Sequence, residues 1–175
     1  SSSETDLMAL IRKLLKRQDL SLRMVEMKDV RLTLIRPEDT LPARKIPILL
    51  SAQLELTHTK TNQVNALGKL SNVAVEGLSF QGTLNAKDLL SKNYPIDIDL
   101  ESTSFSATKI NALIEKFVSP EAITVKFESG QIEKMFINLQ GFVNPNNNSL
   151  NEIVIESGFE TSDIKFSILK NGRNK

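Results

Sequence analysis

Cysteine is absent from all 175 residues, which removes disulfides, thiolate nucleophiles and cysteine-based zinc sites. Such a chain tolerates an oxidising compartment without requiring one. A charge imbalance is missing too: 22 Lys plus Arg stand against 21 Asp plus Glu, a net of +1, so no global field favours nucleic acid or an acidic partner. The longest nearly apolar run, Ile46 to Leu50, has Pro47 inside it and falls far below the ~20 residues of a membrane-spanning helix. Aromatics are only 5%, and Phe80, Phe105, Phe117, Phe127 and Phe166 sit at apolar-phase positions, as core residues do, rather than as stacking platforms for nucleic acid.

The groups that carry chemistry are equally sparse. His58 is the single histidine, in the polar context Thr57-His58-Thr59-Lys60, and no Gly-x-Ser-x-Gly elbow accompanies it. The glycines form neither Gly-x-Gly-x-x-Gly nor a phosphate loop, so no nucleotide cradle is expected. Asn147-Asn148-Ser149 matches the N-glycosylation pattern, which an asparagine-rich segment produces by composition alone. Asp97, Asp99 and Glu101 alternate with Ile96, Ile98 and Leu100, which aims three carboxylates from one face of a strand, successive ones about 6.5 Å apart. Three acids on the wet face of a sheet are ordinarily solvated or paired with cross-strand lysines, and a hard cation would need more oxygen ligands from elsewhere. The expectation is therefore no enzyme, no metal and no cofactor.

What the chain does have is periodicity. Leu7, Met8, Leu10, Ile11, Leu14 and Leu15 recur at helical spacing, with Arg12, Lys13, Lys16 and Arg17 on the other side, so residues 4–18 read as an amphipathic helix. Ser3 or Thr5 caps its first turn, and Glu4 and Asp6 sit at the positive end of its dipole. Its basic side reads as a solvated face, with an anionic membrane surface as the functional alternative.

From Leu20 the apolar period changes to two, through Leu20 and Leu22, Val30 to Leu34, Leu54 and Leu56, Val73 and Val75, Leu78 and Phe80, and Ile96 to Leu100. It continues in Ile123 to Phe127, Ile137 and Leu139, Ile153 and Ile155, and Ile164 to Ile168. These runs predict nine or ten strands within residues 20–168. Breakers at Asn62, Gly77, Gly82, Asn93 with Pro95, Gly130, Pro145 with Asn146 to Asn148, and Gly158 divide them. A helix is predicted near residues 107–118, where Ile110, Leu113, Ile114 and Phe117 form one stripe before Pro120, and a further turn of helix over Ala86–Leu90. The fold class is α+β: a mainly antiparallel, curved sheet with an N-terminal amphipathic helix and one further short helix, in a single β-rich domain spanning 1–175. With 40% hydrophobic residues, a chain of this size buries a real core. It opens on Ser1-Ser2-Ser3 without an initiator methionine, as a processed product or a piece of a longer protein does.

The succession of a leucine-rich amphipathic helix, a DVRLTLIRP strand, an LSNVAVEGLSFQGTL pair, a SATKINALIEKF helix and an SGQIEKMFINLQGFV return resembles the AsmA and TamB-like envelope proteins of Gram-negative bacteria. The resemblance covers most of residues 7–168 and lies in hydrophobic alternation with loosely placed glycines. It implies a fragment of a longer, inner-membrane-anchored periplasmic protein whose curved sheet forms an apolar groove for phospholipid, although the anchor is not in this chain. The side chains it implies for contacting acyl chains are Val73, Val75, Phe80, Ile96, Ile98, Leu100, Ile123, Val125 and Phe127. The expected partners are phospholipid or a membrane surface and other envelope proteins. The alternative is a structural or protein-interaction module in which the same apolar faces close on one another and no lipid binds.

Overall fold

The computed structural model describes residues 13, 23–36, 44–117, 124–147 and 149–169. Their order is β1 (Met24–Arg36), β2 (Arg44–His58), β3 (Val64–Val75), β4 (Leu78–Ala86), β5 (Tyr94–Ser102), β6 (Phe105–Ser106), a 3-10 turn (Ala107–Lys109), α1 (Ile110–Phe117), β7 (Thr124–Asn144) and β8 (Ser149–Leu169). All eight strands join one open antiparallel sheet. Neighbours in sequence are neighbours in space from β1 to β5, as short connections dictate. β5 and then the two-residue β6 pair with β7, and β8 pairs along the length of β7.

The alternation read from the sequence translates into one apolar and one polar face. Across the sheet Leu84 stands beside Ile98, Ile98 beside Leu139, and Leu139 beside Ile155, so one apolar row crosses β4, β5, β7 and β8. The next row joins Leu70, Gly82, Leu100 and Ile137. Two clusters form on this face. The larger gathers Ala52, Leu70, Val73, Leu78, Phe80 and Ile132 under the 3-10 turn, whose Ala107 is buried, and α1, whose Ile110 is buried and whose Leu113 and Ile114 pack against them. The smaller collects Leu56, Val64, Ala66, Ala86 and Tyr94 at the far end, beneath Leu89 and Leu90.

Asn111 fastens α1 to β7: its side-chain Nδ2 donates to the Phe127 carbonyl and its Oδ1 accepts from the Phe127 N–H, each at 2.9 Å. Ser102, the buried polar residue of β5, accepts the Met135 N–H at 3.0 Å, which gives that backbone donor a partner. Gly82 marks a close approach, because a Cβ there would lie 1.8 Å from the Asp99 carbonyl oxygen. No side chain other than hydrogen fits between β4 and β5 at that row.

Three expectations need correction or placing. Among the described residues the strands number eight, not nine or ten: two pairs of apolar runs are single strands of 21 residues each, the Leu20 and Leu22 run lies outside the described residues, and the two-residue β6 is added. Three glycines read as breakers lie inside strands: Gly82 in β4, Gly130 in β7 at a register shift with φ +116°, and Gly158 in β8. A bulge resets the apolar phase and takes a glycine, so in sequence it is indistinguishable from a turn. Ala86–Leu90 is not helical: Ala86 ends β4, and the following turns find their partners on the strands instead. Leu89 N–H donates to the Val64 carbonyl at 2.8 Å, Lys87 N–H to the Pro95 carbonyl at 3.2 Å, and Asp88 N–H to Asn65 Oδ1 at 2.9 Å. The helix expected over 4–18 lies outside the described residues except for Lys13, which is helical and exposed, and the Leu20 and Leu22 run lies outside them as well. The helix near 107–118 is present as the 3-10 turn followed by α1.

Candidate functional site: the apolar face

Eight of the nine residues expected to contact acyl chains are described, and they share the apolar face; Ile123 lies outside the described residues. They are not equally available. Val73 and Phe80 are direct cross-strand partners and are buried in the larger cluster, at 9% and 3% exposure. Val75, Ile98, Leu100 and Phe127 are half-buried at its margin, and Ile96 belongs to the smaller cluster beside Tyr94. Val125 is half-buried and stands opposite Ile168 on β8.

Beyond these residues the same face continues onto β8, where burial stops. Ile153, Ile155, Phe159, Phe166 and Ile168 are 48–61% exposed, on a strand with β7 on one side and no strand on the other among the described residues. Phe166 keeps one contact inward, its ring centroid 6.4 Å from that of Phe127. Four of these were legible as strand positions, Phe159 beside the expected break at Gly158 was not, and none was legible as the open part of the face, because an edge strand and a central one share the same alternation. On the opposite margin Leu32 of β1, in the row of Ile48, Val75 and Leu78, is 41% exposed.

The polar face carries the acids. Asp97, Asp99 and Glu101 lie along β5 as expected, but the partner of the first two is an amide: Asn138 Nδ2 donates to Asp97 Oδ1 at 2.9 Å and to Asp99 Oδ1 at 2.7 Å. Glu101 meets Lys134 at 2.7 Å, and the Lys134 ammonium also sits 4.9 Å from the centre of the Phe136 ring. The hydrogen bond from Lys134 holds the Glu101 carboxyl below its ordinary value, against a smaller opposing effect of burial. Among the described residues, no three His, Cys, Asp or Glu side chains are grouped to hold a metal.

A depression of about 810 Å³ on the same side is lined by Met24, Leu67, Lys69, Gln81 and Thr83, with Glu101 at its margin. Its Ser71 hydroxyl donates to the Ser51 carbonyl at 3.2 Å and so serves the backbone. His58 ends β2 in an exposed position, away from these acids. The arrangement therefore offers a closed apolar cluster on one face, while on the other the acids stand among exposed apolar side chains, Met24, Leu67, Phe136, Phe142 and Val154. No helix among the described residues is long and apolar enough to cross a membrane. Compared with protein-family models, curated proteins and solved structures, the chain matches none.

Proposed function

We propose that this chain is a non-catalytic lipid-handling module of the cell envelope, in which the apolar face of the sheet receives acyl chains. The observation that carries the reading is the exposed strip Ile153, Ile155, Phe159, Phe166 and Ile168, which extends the core face without an intervening polar row. A methylene moved from water onto such a surface gains about 0.8 kcal/mol when fully buried, so an acyl chain lying along the strip binds without any directional contact. The headgroup stays in water, and the filled centre of the sheet acts as a stiff backing. Val75, Ile96, Ile98, Leu100, Val125 and Phe127 would form the inner wall, while Val73 and Phe80 support it from within. The envelope setting, periplasmic or tethered to the inner membrane with its domain in the periplasm, rests on the resemblance of the strand pattern to AsmA-like proteins.

Delipidated protein titrated with a phospholipid carrying a fluorescent acyl chain tests the reading, alongside native mass spectrometry of the purified chain. Saturable uptake is expected, and Phe159→Glu or Phe166→Glu should abolish it while leaving the far-ultraviolet circular dichroism unchanged. Folded protein that takes up no lipid by either measurement overturns the reading.

The close-packed centre favours a second reading, a structural or interaction module with a closed core. Leu78 is 2% exposed and Ile132 0%, so the middle of the face needs no ligand to be dry. On that reading the exposed strip docks protein, and the lipid titration fails.

A further inference from the structure

Both margins of the sheet are open among the described residues: β1 pairs only with β2, and β8 only with β7. An unpaired margin presents a row of backbone N–H and C=O groups that accept another strand. Three features of this sheet restrict which strand fits. Six antiparallel steps separate β1 from β8, so the two margins run in the same direction. Each exposes large apolar side chains on the same face, Leu32 on β1 and Ile155 and Phe159 on β8. Their charges differ: β8 carries Glu152, Glu156, Glu160 and Asp163 against Lys165, whereas on β1 Lys28 and Arg31 balance Glu26 and Asp29, with Lys28 meeting Glu26 at 3.2 Å.

We propose that β8 of one molecule pairs with β1 of a second copy, head to tail, so that the apolar face runs on from one molecule to the next. The pairing is parallel, because a copy added with its apolar face on the same side presents β1 in the direction of β8. Setting Ile155 beside Val30 brings Glu156 next to Arg31 on the wet face and Ser157 next to Leu32, with Phe159 one step further along the dry face. Two copies of β8 meeting each other would instead be antiparallel and would crowd eight carboxylates along one seam against two lysines. Like charges so placed oppose that pairing, so the acids discourage a second β8 while leaving it open to a charge-balanced margin that offers Arg31. The association needs no lipid, and its success or failure leaves the lipid titration free to fall either way.

Sedimentation velocity of delipidated protein across a wide range of concentration tests the proposal. The wild type should form species that grow with concentration beyond two copies, and less so in high salt. The exposed positions permit two blocked variants, Ile155→Lys with Phe159→Lys on β8, and Leu32→Lys on β1. Each alone should be monomeric, and an equimolar mixture should form a complex of two copies and stop there, since one free margin of each kind remains. Where the β8 replacements disturb folding, Glu156→Lys serves in their place, and its loss of assembly should be reversed by adding Arg31→Glu to the same chain. A wild type monomeric throughout, a Leu32→Lys variant that still self-associates, or a charge reversal that restores nothing overturns the proposal.

Discussion

Leu78 and Ile155 face the same side of one sheet, on strands with the same alternation, yet one is 2% exposed and the other 60%. The difference is lateral. β4 has a strand on each side and the short helix with its 3-10 turn above its cluster, whereas β8 has β7 on one side only. An apolar strand residue thus serves the core or the open surface according to its place in the strand order and the cover above it, not according to its own sequence context. In this chain the centre supplies stability and the β8 wing supplies exposed apolar surface.

The largest expected effect tests that division directly. Leu78→Ala removes packed atoms from the centre and should cost about 2–5 kcal/mol in urea denaturation. Ile155→Ala should change stability by no more than about 0.5 kcal/mol, as surface substitutions usually do. Equal costs would mean that the wing is as well packed as the centre and would remove the basis for reading it as a binding surface.

A pair of glycines sharpens the contrast. A Cβ at Gly82 would collide with the Asp99 carbonyl, and that oxygen belongs to a backbone held on both sides by β4 and β7, so Gly82→Ala should destabilise by about 1–3 kcal/mol. Gly158 has nothing within 4 Å of the same added atom, and Gly158→Ala should stabilise by about 0.4–1 kcal/mol through the unfolded chain. Thermal or urea unfolding of the two variants measures opposite signs for one chemical change.

Much of the sheet was legible because the period of two survives in nearly every strand: the β3 and β4 runs about Val73, Val75, Leu78 and Phe80, and the β5 run Ile96 to Leu100, lie where the alternation puts them. The Ile110, Leu113 and Ile114 stripe likewise packs on the larger cluster. What failed was punctuation. Gly130 and Gly158 look like Gly77, but only Gly77 sits in a turn, because whether a chain reverses or bulges is decided by pairing partners far away in sequence. The Ala86–Leu90 turn misled for a related reason: its backbone donors are satisfied by Val64, Asn65 and Pro95, none of which its own sequence announces. Within the candidate site, alternation identified the face and missed its open part, since exposure depends on which strand has no neighbour. Asn111 was invisible for the same reason, its partner being the Phe127 backbone on another element.

The smallest expected effect concerns the polar face, where the centre enjoys no such advantage. Glu101 on β5 and Lys134 on β7 lie inside the sheet, yet their side chains are 40% and 36% exposed, so water screens the pair even at 2.7 Å. The hydrogen bond from Lys134 lowers the Glu101 carboxyl below its ordinary 4.5, which favours the ionised form in the folded protein. Its contribution to stability is therefore fully present above about pH 4.5 and is lost as pH falls through the lower folded value. Lys134→Met should raise the Glu101 midpoint in a carboxyl-carbon NMR titration and flatten the part of the acid stability profile that lies below pH 4.5. A midpoint unmoved by the substitution would assign the shift to the other nearby donor, Gln81, instead. The loss in stability should stay small beside that of Leu78→Ala, because in this sheet depth exists on one face only.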